Sequence, residues 1–212
     1  MGCEYICDCG TVAYADDVLG ESDFSDVAAW AWEQWLSLSG APVSSADSYP
    51  LFGRACGTPS LAIGALDVFN TQRTLGEFPL ANLLSSYASD VHAVLGSPGI
   101  DWGAIQVRGY GYGRDAGLDW HRDGSVFAGN AIFYAHKHWN REWAGTLSVI
   151  PPCGRSFEIE PTPNRLVLMR GDQLHRVERW QGPENTARLT VNLAFLTRIG
   201  CFAIGEPWRS RR

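Results

Sequence analysis

The chain has 212 residues, of which 45% are hydrophobic and 19% are charged, so its composition suits a folded domain with a core. Its net charge is −6, and its 17 Lys and Arg residues are scattered apart from the terminal "RSRR", which argues against a nucleic-acid partner. No apolar run reaches the roughly 18 to 20 residues of a membrane span, and the N-terminus is a poor signal peptide. We therefore expect one soluble, cytoplasmic domain over residues 1–212, with no membrane partner.

Six cysteines are present, and three of them, Cys3, Cys7 and Cys9, cluster at the N-terminus. Cysteines of a cytosolic chain are most often free thiols, and this is our prediction for all six. A zinc site in the N-terminal cluster is conceivable, but the cluster has no C-x-x-C pair. The sequence leaves the role of these three cysteines open.

Residues 1–100 are predicted to be mainly helical and to support a second, β-rich half. The stretch "SDFSDVAAWAWEQWLSLSG" (22–40) has acidic residues in its first turn, apolar residues at helical spacing and a terminal Gly. A loop rich in Ser, Pro and Gly is expected from about 40 to 60. A second helix is expected from roughly Pro79 to Leu95, where the apolar residues form one stripe and "GSPG" follows.

Residues 101–205 are predicted to form strands separated by Gly, Pro and Asn turns. The strand-like segments are "AIQVRGYGYG", "NAIFYAHKHW", "LSVIPP", "SFEIEP", "RLVLM", "HRVERW" and "ARLTVNLAFL". Short strands without intervening helices are typical of an antiparallel jelly roll. We therefore predict an α+β fold, with a double-stranded β-helix (jelly-roll, cupin-like) core and N-terminal supporting helices on its outer face.

The segment "LDWHRDGS" (118–125) places His121 and Asp123 at positions i and i+2. In a strand these side chains project to the same side, with Arg122 turned away. An imidazole and a carboxylate make two thirds of the facial triad that holds iron(II). The third ligand should be a second histidine, and His175 follows a Gly-Asp-Gln turn into a strand that a jelly roll can bring beside His121. The other histidines lie in the second helix or at the end of a strand: His92, His136 and His138.

Arg188 begins the strongly β-prone segment "ARLTVNLAFL". An arginine that points into a barrel is costly unless it meets an anion, and its planar fork suits a carboxylate. An inward arginine near an iron site suits a dicarboxylate cosubstrate that chelates the metal at one end and pairs with Arg188 at the other.

Taken in order, these motifs resemble the iron(II)/2-oxoglutarate-dependent oxygenases, specifically the prolyl-4-hydroxylase-like group. The likeness covers most of residues 105–197. It rests on the ordered segments "YGYGRDAGLDWHRD", "AIFYAHKHW", "GTLSVIPP", "FEIEPTPNRLVLMRGDQLHRV" and "ARLTVNLAF". The interval from His175 to Arg188 is a few residues longer than is usual in that family.

The resemblance implies that His121, Asp123 and His175 bind iron(II), and that Arg188 pairs with the far carboxylate of 2-oxoglutarate. Further residues implied to lie around the cosubstrate are Tyr134, Tyr110, Tyr112 and Asn192. Candidate substrate contacts at the mouth of the site are Arg114, Trp120, Arg122 and Trp139.

The implied activity is that of a dioxygenase that converts 2-oxoglutarate to succinate and CO2, consumes O2 and hydroxylates an unactivated C–H bond, with ascorbate as a possible support. Asp123 argues against halogenation, because related halogenases have a small residue there, whereas desaturation and cyclisation stay open. We expect a small-molecule substrate, such as an amino acid or a specialised-metabolite intermediate. The alternatives are a peptidyl or protein (prolyl-type) hydroxylase and a catalytically silent jelly-roll binding protein.

Overall fold

Two antiparallel sheets face each other, and helices cover the outer face of the larger one. This computed structural model describes residues 2–39, 55–56, 61–66 and 79–199. The seven-stranded sheet has the order β1 (Glu4–Tyr5), β2 (Val12–Ala15), β10 (Leu166–Arg170), β7 (Phe127–Tyr134), β12 (Arg188–Leu196), β5 (Ala104–Tyr112) and β4 (Leu61–Leu66). The five-stranded sheet has the order β3 (Ala55–Cys56), β6 (Gly117–His121), β11 (Leu174–Val177), β8 (Leu147–Ile150) and β9 (Phe157–Ile159).

From β5 to β12 the chain crosses between the two sheets at every step except β8 to β9. This winding is that of a jelly roll, and all of its strand pairs are antiparallel. The predicted α+β fold with a double-stranded β-helix core is therefore confirmed.

The helices are α1 (Glu21–Ser39), α2 (Pro79–Ser86) and α3 (Ala88–Leu95). The first predicted helix is confirmed with a start one residue earlier. The second is in fact two helices that meet at Tyr87, a buried residue whose ψ of 24° lies outside the helical range. Within the part of the chain that the structure describes, no helix is long and apolar enough to cross a membrane.

Side chains of β12 alternate between the two faces of the larger sheet. Successive strand residues point to opposite faces, so one set enters the space between the sheets and the other packs under the helices. The set between the sheets is Arg188, Thr190, Asn192 and Ala194. The set under the helices is Leu189, Val191, Leu193 and Phe195. The central strand therefore contributes both to the helix-facing core and to the wall of the inner cavity.

The first hundred residues also supply short strands, which the prediction of a mainly helical half did not include. β2 extends the larger sheet beside β10, whereas β3 and β4 extend the two sheets beside β6 and β5. These strands have two to six residues. They form because an exposed sheet edge offers backbone partners, a tertiary effect that a short segment does not reveal by itself. The loop predicted over 40–60 lies outside the described residues except for β3.

Candidate active site

The two predicted histidine ligands lie opposite each other on neighbouring strands. β6 and β11 pair so that His175 faces His121, and their ring centroids are 4.1 Å apart. Asp123 Oδ1 lies 3.6 Å from His121 Nε2 and 3.9 Å from His175 Nε2. The three ligand atoms all lie within 4.8 Å of one another. Two imidazoles and one carboxylate in this arrangement form the facial donor set that suits iron(II).

Asp123 lies beside His121 because of a bend in the chain, whereas the sequence analysis placed both residues in one strand. β6 ends at His121, and Asp123 has φ −69° and ψ −13° at the start of a 3₁₀ turn over Gly124–Val126. The two side chains therefore meet because the chain bends after the strand, not because they alternate along it. The backbone N–H of Asp123 donates to the carbonyl of Gly171 at 3.1 Å, which holds the bend against the turn before β11.

Hydrogen bonds to the backbone orient both imidazoles. His121 Nδ1 lies 2.8 Å from the carbonyl oxygen of Asp119, and His175 Nδ1 lies 3.0 Å from that of Gln173. A carbonyl can only accept, so each Nδ1 carries the proton and donates it. Each Nε2 then presents its lone pair to the space between the ligands, as a metal site requires.

The carboxylate of Asp123 is also held on one side. Asn130 on β7 donates from Nδ2 to Asp123 Oδ2 at 2.6 Å, and both residues are buried. This bond leaves Oδ1 to face the histidines. The sequence analysis missed Asn130, although a polar residue at an inward position of the apolar strand "FAGNAIFY" was an available signal.

The metal-free ligands have opposite pKa shifts. Burial disfavours the charged form of His121, but the nearby carboxylate of Asp123 and the backbone contacts of the ring outweigh burial and raise its pKa. Burial lowers the pKa of His175, an effect that the charge on Asp123 only partly offsets. A proton on His121 competes with a metal ion, so metal binding releases it.

Arg188 is buried, with 2% of its surface exposed, in the cavity that contains the iron ligands. It donates from Nε to the carbonyl of Gly145 at 2.8 Å and from Nη2 to the hydroxyl of Tyr134 at 3.2 Å. Its guanidinium carbon lies 5.0 Å from the ring centres of both Tyr112 and Tyr134. Among the described residues no carboxylate pairs with it. A buried cation without an anion is costly, so this position fits the carboxylate of a bound acid.

The inner cavity has a volume of about 60 Å³. Beside the three iron ligands and Arg188, it is lined by Tyr110, Tyr112, Leu118, Phe127, Asn130, Ile132, Leu147, Met169, Val177, Thr190, Asn192 and Ala194. Within the described part of the chain, Oδ1 of Asn192 is buried and has no hydrogen-bond partner. Arg188, which is buried in this cavity and has no carboxylate partner among the described residues, indicates that an anionic ligand completes it. The residues present therefore fit both iron(II) and 2-oxoglutarate.

The structure places the other predicted site residues in two groups. Tyr110, Tyr112 and Asn192 line the cavity, and Tyr134 contacts Arg188 from the surrounding core. The four proposed mouth residues are not among the lining residues. Trp120 is 40% exposed and packs against the guanidinium of Arg176. Arg122 donates to the carbonyl of Asp172, and Trp139 donates to the carbonyl of Ala144. Arg114 is exposed in the turn after β5. Their role in substrate binding stays a prediction.

Gly145 is a second residue that the sequence analysis missed. Its φ is +77°, its carbonyl accepts from Arg188, and a Cβ built on it would lie 2.7 Å from the Trp180 ring and 3.2 Å from Arg188 Cδ. Glycine is required by both the conformation and the close approach. No pattern in the sequence marked it as a support for Arg188.

Comparisons with known proteins agree with this geometry. Residues 105–196 match the family model of the 2OG-Fe(II) oxygenase superfamily. No curated protein matches the chain by sequence.

Solved structures of several such enzymes are similar in fold. A prolyl-4-hydroxylase from Pseudomonas putida has a TM-score of 0.63 and 15% identity, covering 89% of this chain and 93% of that chain. A prolyl hydroxylase from Trichoplax adhaerens, in complex with a hypoxia inducible factor oxygen degradation domain peptide fragment, has a TM-score of 0.66 and 16% identity, covering 92% and 87%. The non-heme alpha ketoglutarate dependent carbocyclase SnoK from nogalamycin biosynthesis has a TM-score of 0.58 and 12% identity, covering 95% and 89%.

At these identities the solved structures establish the fold alone, and the family model covers 92 of the 212 residues. The matched residues, 105–196, make up most of the jelly-roll core and are similar in sequence to the 2OG-Fe(II) oxygenase superfamily. The family match over residues 105–196 and the geometry of the site support an enzyme of the 2-oxoglutarate-dependent iron(II) oxygenase class.

Proposed function

We propose that this oxygenase hydroxylates an unactivated C–H bond of a small molecule, such as an amino acid or a specialised-metabolite intermediate. The observation that carries the proposal is the pairing, in one cavity, of a metal-binding triad with a buried arginine that has no carboxylate partner among the described residues. That pairing suits a cosubstrate with a chelating group at one end and a carboxylate at the other.

Bound iron(II), 2-oxoglutarate and O2 would supply the oxidation, since together they yield succinate, CO2 and one oxygen atom for insertion into a C–H bond. The protein holds and orients the reactants. The Nδ1 bonds of His121 and His175 fix the metal-binding lone pairs, and Asn130 fixes the carboxylate of Asp123. Arg188 would hold the far carboxylate, and the apolar wall would keep bulk water out.

The preference for a small molecule rests on charge and on the cavity. The chain is acidic, and the space beside the iron ligands is narrow and mainly apolar in its lining. The similar structures include enzymes named for small-molecule biosynthesis and a prolyl hydroxylase in complex with a peptide. A peptidyl substrate is therefore the main alternative, and a substrate panel must contain both kinds.

The test is formation of succinate from 2-oxoglutarate by the purified chain with iron(II), O2 and ascorbate. Wild type should form succinate, and candidate small molecules should be screened for stimulation against a proline-containing peptide. His175→Ala should bind no iron and form no succinate. His92→Ala, which changes an exposed histidine on α3, is the matched control and should keep both properties.

Arg188→Ala tests the anchor separately. Loss of a buried charge pair should raise the Kd for 2-oxoglutarate by at least about 30-fold, which corresponds to about 2 kcal/mol, and leave iron bound. Arg176→Ala is the control, because that side chain lies over Trp120 and does not line the cavity. Unchanged 2-oxoglutarate affinity in Arg188→Ala would contradict the assignment of Arg188 as the residue that binds the carboxylate.

A wild-type chain that binds no iron would favour the catalytically silent binding protein. Stimulation of succinate formation by the peptide alone would favour the peptidyl hydroxylase.

A further inference from the structure

Two tight turns outside the active site bring three cysteines together. The first turn joins β1 to β2, where the N–H of Gly10 donates to the carbonyl of Cys7 at 3.1 Å and Gly10 has φ +64°. The second turn joins β8 to β9, where Gly154 donates to the carbonyl of Pro151 at 2.9 Å and has φ +77°. Each turn carries a cysteine directly before its glycine, as "CDCG" and "PPCG".

The three sulfur atoms converge where these turns meet. The Sγ atoms of Cys7, Cys9 and Cys153 all lie within 4.8 Å of one another. Sulfur ligands of a tetrahedral zinc ion, at about 2.3 Å from the metal, are separated by about 3.8 Å. The spacing of the turns therefore suits a shared metal ion after only small side-chain movements. Cys3, which the sequence analysis grouped with Cys7 and Cys9, is outside this cluster.

Cys7 and Cys9 form a disulfide in this structure, whereas Cys153 is a free thiol, so the prediction of free thiols is wrong for Cys7 and Cys9. The disulfide joins residues only two positions apart. A loop this small loses little entropy on closure, so the bond stabilises the fold little. Cys9 and Cys153 are exposed and Cys7 is half-buried, so a dithiol reductant can reach them.

We propose that Cys7, Cys9 and Cys153 form a redox-gated zinc site, separate from the iron centre, that binds one Zn²⁺ when reduced. A dithiol converts the Cys7–Cys9 disulfide to two thiols and is itself oxidised to a disulfide. Zn²⁺ then displaces the protons of the three thiols, and water completes its coordination. Thiolate ligands favour Zn²⁺ and other soft cations. The nitrogen and oxygen ligands of the predicted iron site instead suit iron(II).

Oxidation reverses the process. One hydrogen peroxide molecule takes two electrons from the Cys7 and Cys9 thiolates and, with two protons, leaves as two waters. The disulfide forms and Zn²⁺ departs, because Cys153 alone is one ligand. The Cys7–Cys9 disulfide of this structure corresponds to that oxidised form.

Cobalt(II) provides a direct test, because cobalt bound to thiolate has a strong near-ultraviolet charge-transfer band that cobalt bound to histidine and aspartate lacks. The full chain should be reduced with a dithiol, freed of metal without air and titrated with Co²⁺. We expect one band-forming Co²⁺ per chain, loss of the band when Zn²⁺ is added, and loss again with hydrogen peroxide. The same band should form in His175→Ala, whose iron site is disabled.

Serine variants identify the ligands. Cys153→Ser and Cys9→Ser should each abolish the band, and circular dichroism should confirm that both variants fold. Cys3→Ser is the matched control and should keep the band at full intensity. Absence of the band in the reduced wild type, or its persistence in Cys153→Ser, would overturn the proposal. Neither result would bear on the oxygenase activity, which is measured by succinate formation.

Discussion

Hydrogen bonds orient the three predicted iron ligands, His121, Asp123 and His175. Both imidazoles are held at Nδ1 by backbone carbonyls, and one oxygen of Asp123 is held by Asn130. Such supporting residues usually affect metal affinity strongly, because a ligand that must reorient pays an entropic cost on binding. Asn130 is the supporting contact that comes from a side chain and can be tested by substitution.

Asn130→Ala should lower the affinity for iron(II) by about 10- to 100-fold, because Asp123 loses the 2.6 Å bond that orients its carboxylate. The measurement is an anaerobic competition titration against a chromophoric iron chelator. Asn185→Ala, which changes an exposed asparagine in the loop before β12, is the control and should bind iron as wild type does. Equal affinities in the two variants would show that Asp123 is positioned by the backbone bend alone.

Strands with strong alternation were predictable, and features that depend on tertiary contact were not. The sequence of β12 specifies one face toward the cavity and one toward the helices, and Arg188 and Asn192 lie on the same face as expected. The convergence of His121 and Asp123 was predicted correctly, but for a wrong reason, since the strand ends between them. The strands of the first hundred residues and the role of Gly145 depend on partners far along the chain, which local patterns do not show.

Gly129 on β7 marks the closest packing between neighbouring elements. A Cβ there would collide with the carbonyl oxygen of Met169 on β10 and would lie 2.5 Å from Leu95 Cδ2 on α3. Gly129→Ala should therefore destabilise the fold by about 1 to 3 kcal/mol, since a backbone carbonyl cannot move aside cheaply. For a chain of this size the loss corresponds to a fall in Tm of roughly 2 to 12 °C.

Thermal unfolding followed by circular dichroism measures this effect. Gly20→Ala is the control, because no atom lies within 4 Å of a Cβ built at that position. Its Tm should stay close to that of wild type. If the two alanine variants unfold at the same temperature, the junction of β7, β10 and α3 is less tightly packed than these distances indicate.

The N-terminal region contributes directly to the active site, although the family match begins only at residue 105. Thr11, just before β2, donates to Gln173 Oε1 at 3.2 Å, and the carbonyl of Gln173 accepts from His175, one of the predicted iron ligands. Thr11 also lies 3.2 Å from the sulfur of Cys9. Thr11 therefore contacts both Gln173, in the turn that orients His175, and Cys9 of the cysteine cluster.

His136 joins several parts of the fold behind the cavity, and its protonation should affect global stability. Its Nε2 lies 2.6 Å from the carbonyl oxygen of Pro161, its Nδ1 lies 3.2 Å from that of Leu189, and its ring contacts Tyr134 and Trp180. Burial lowers its pKa from 6.5 to about 4, assisted by the charge of Arg188 and opposed by the two carbonyls. The folded protein therefore keeps this ring neutral where the unfolded chain already binds a proton.

Because the folded pKa is the lower one, stability falls as the pH falls from about 6.5 to about 4, and is unaffected by this group above that window. The full difference amounts to about 3 kcal/mol. Urea unfolding of the metal-free protein at several pH values measures it. His136→Gln cannot titrate, so its stability should fall less steeply than that of wild type across this window, whereas His92→Gln, at an exposed position on α3, should follow wild type. Parallel pH profiles for wild type and His136→Gln would mean that this ring titrates alike in both states, and that acid acts on the fold through other groups.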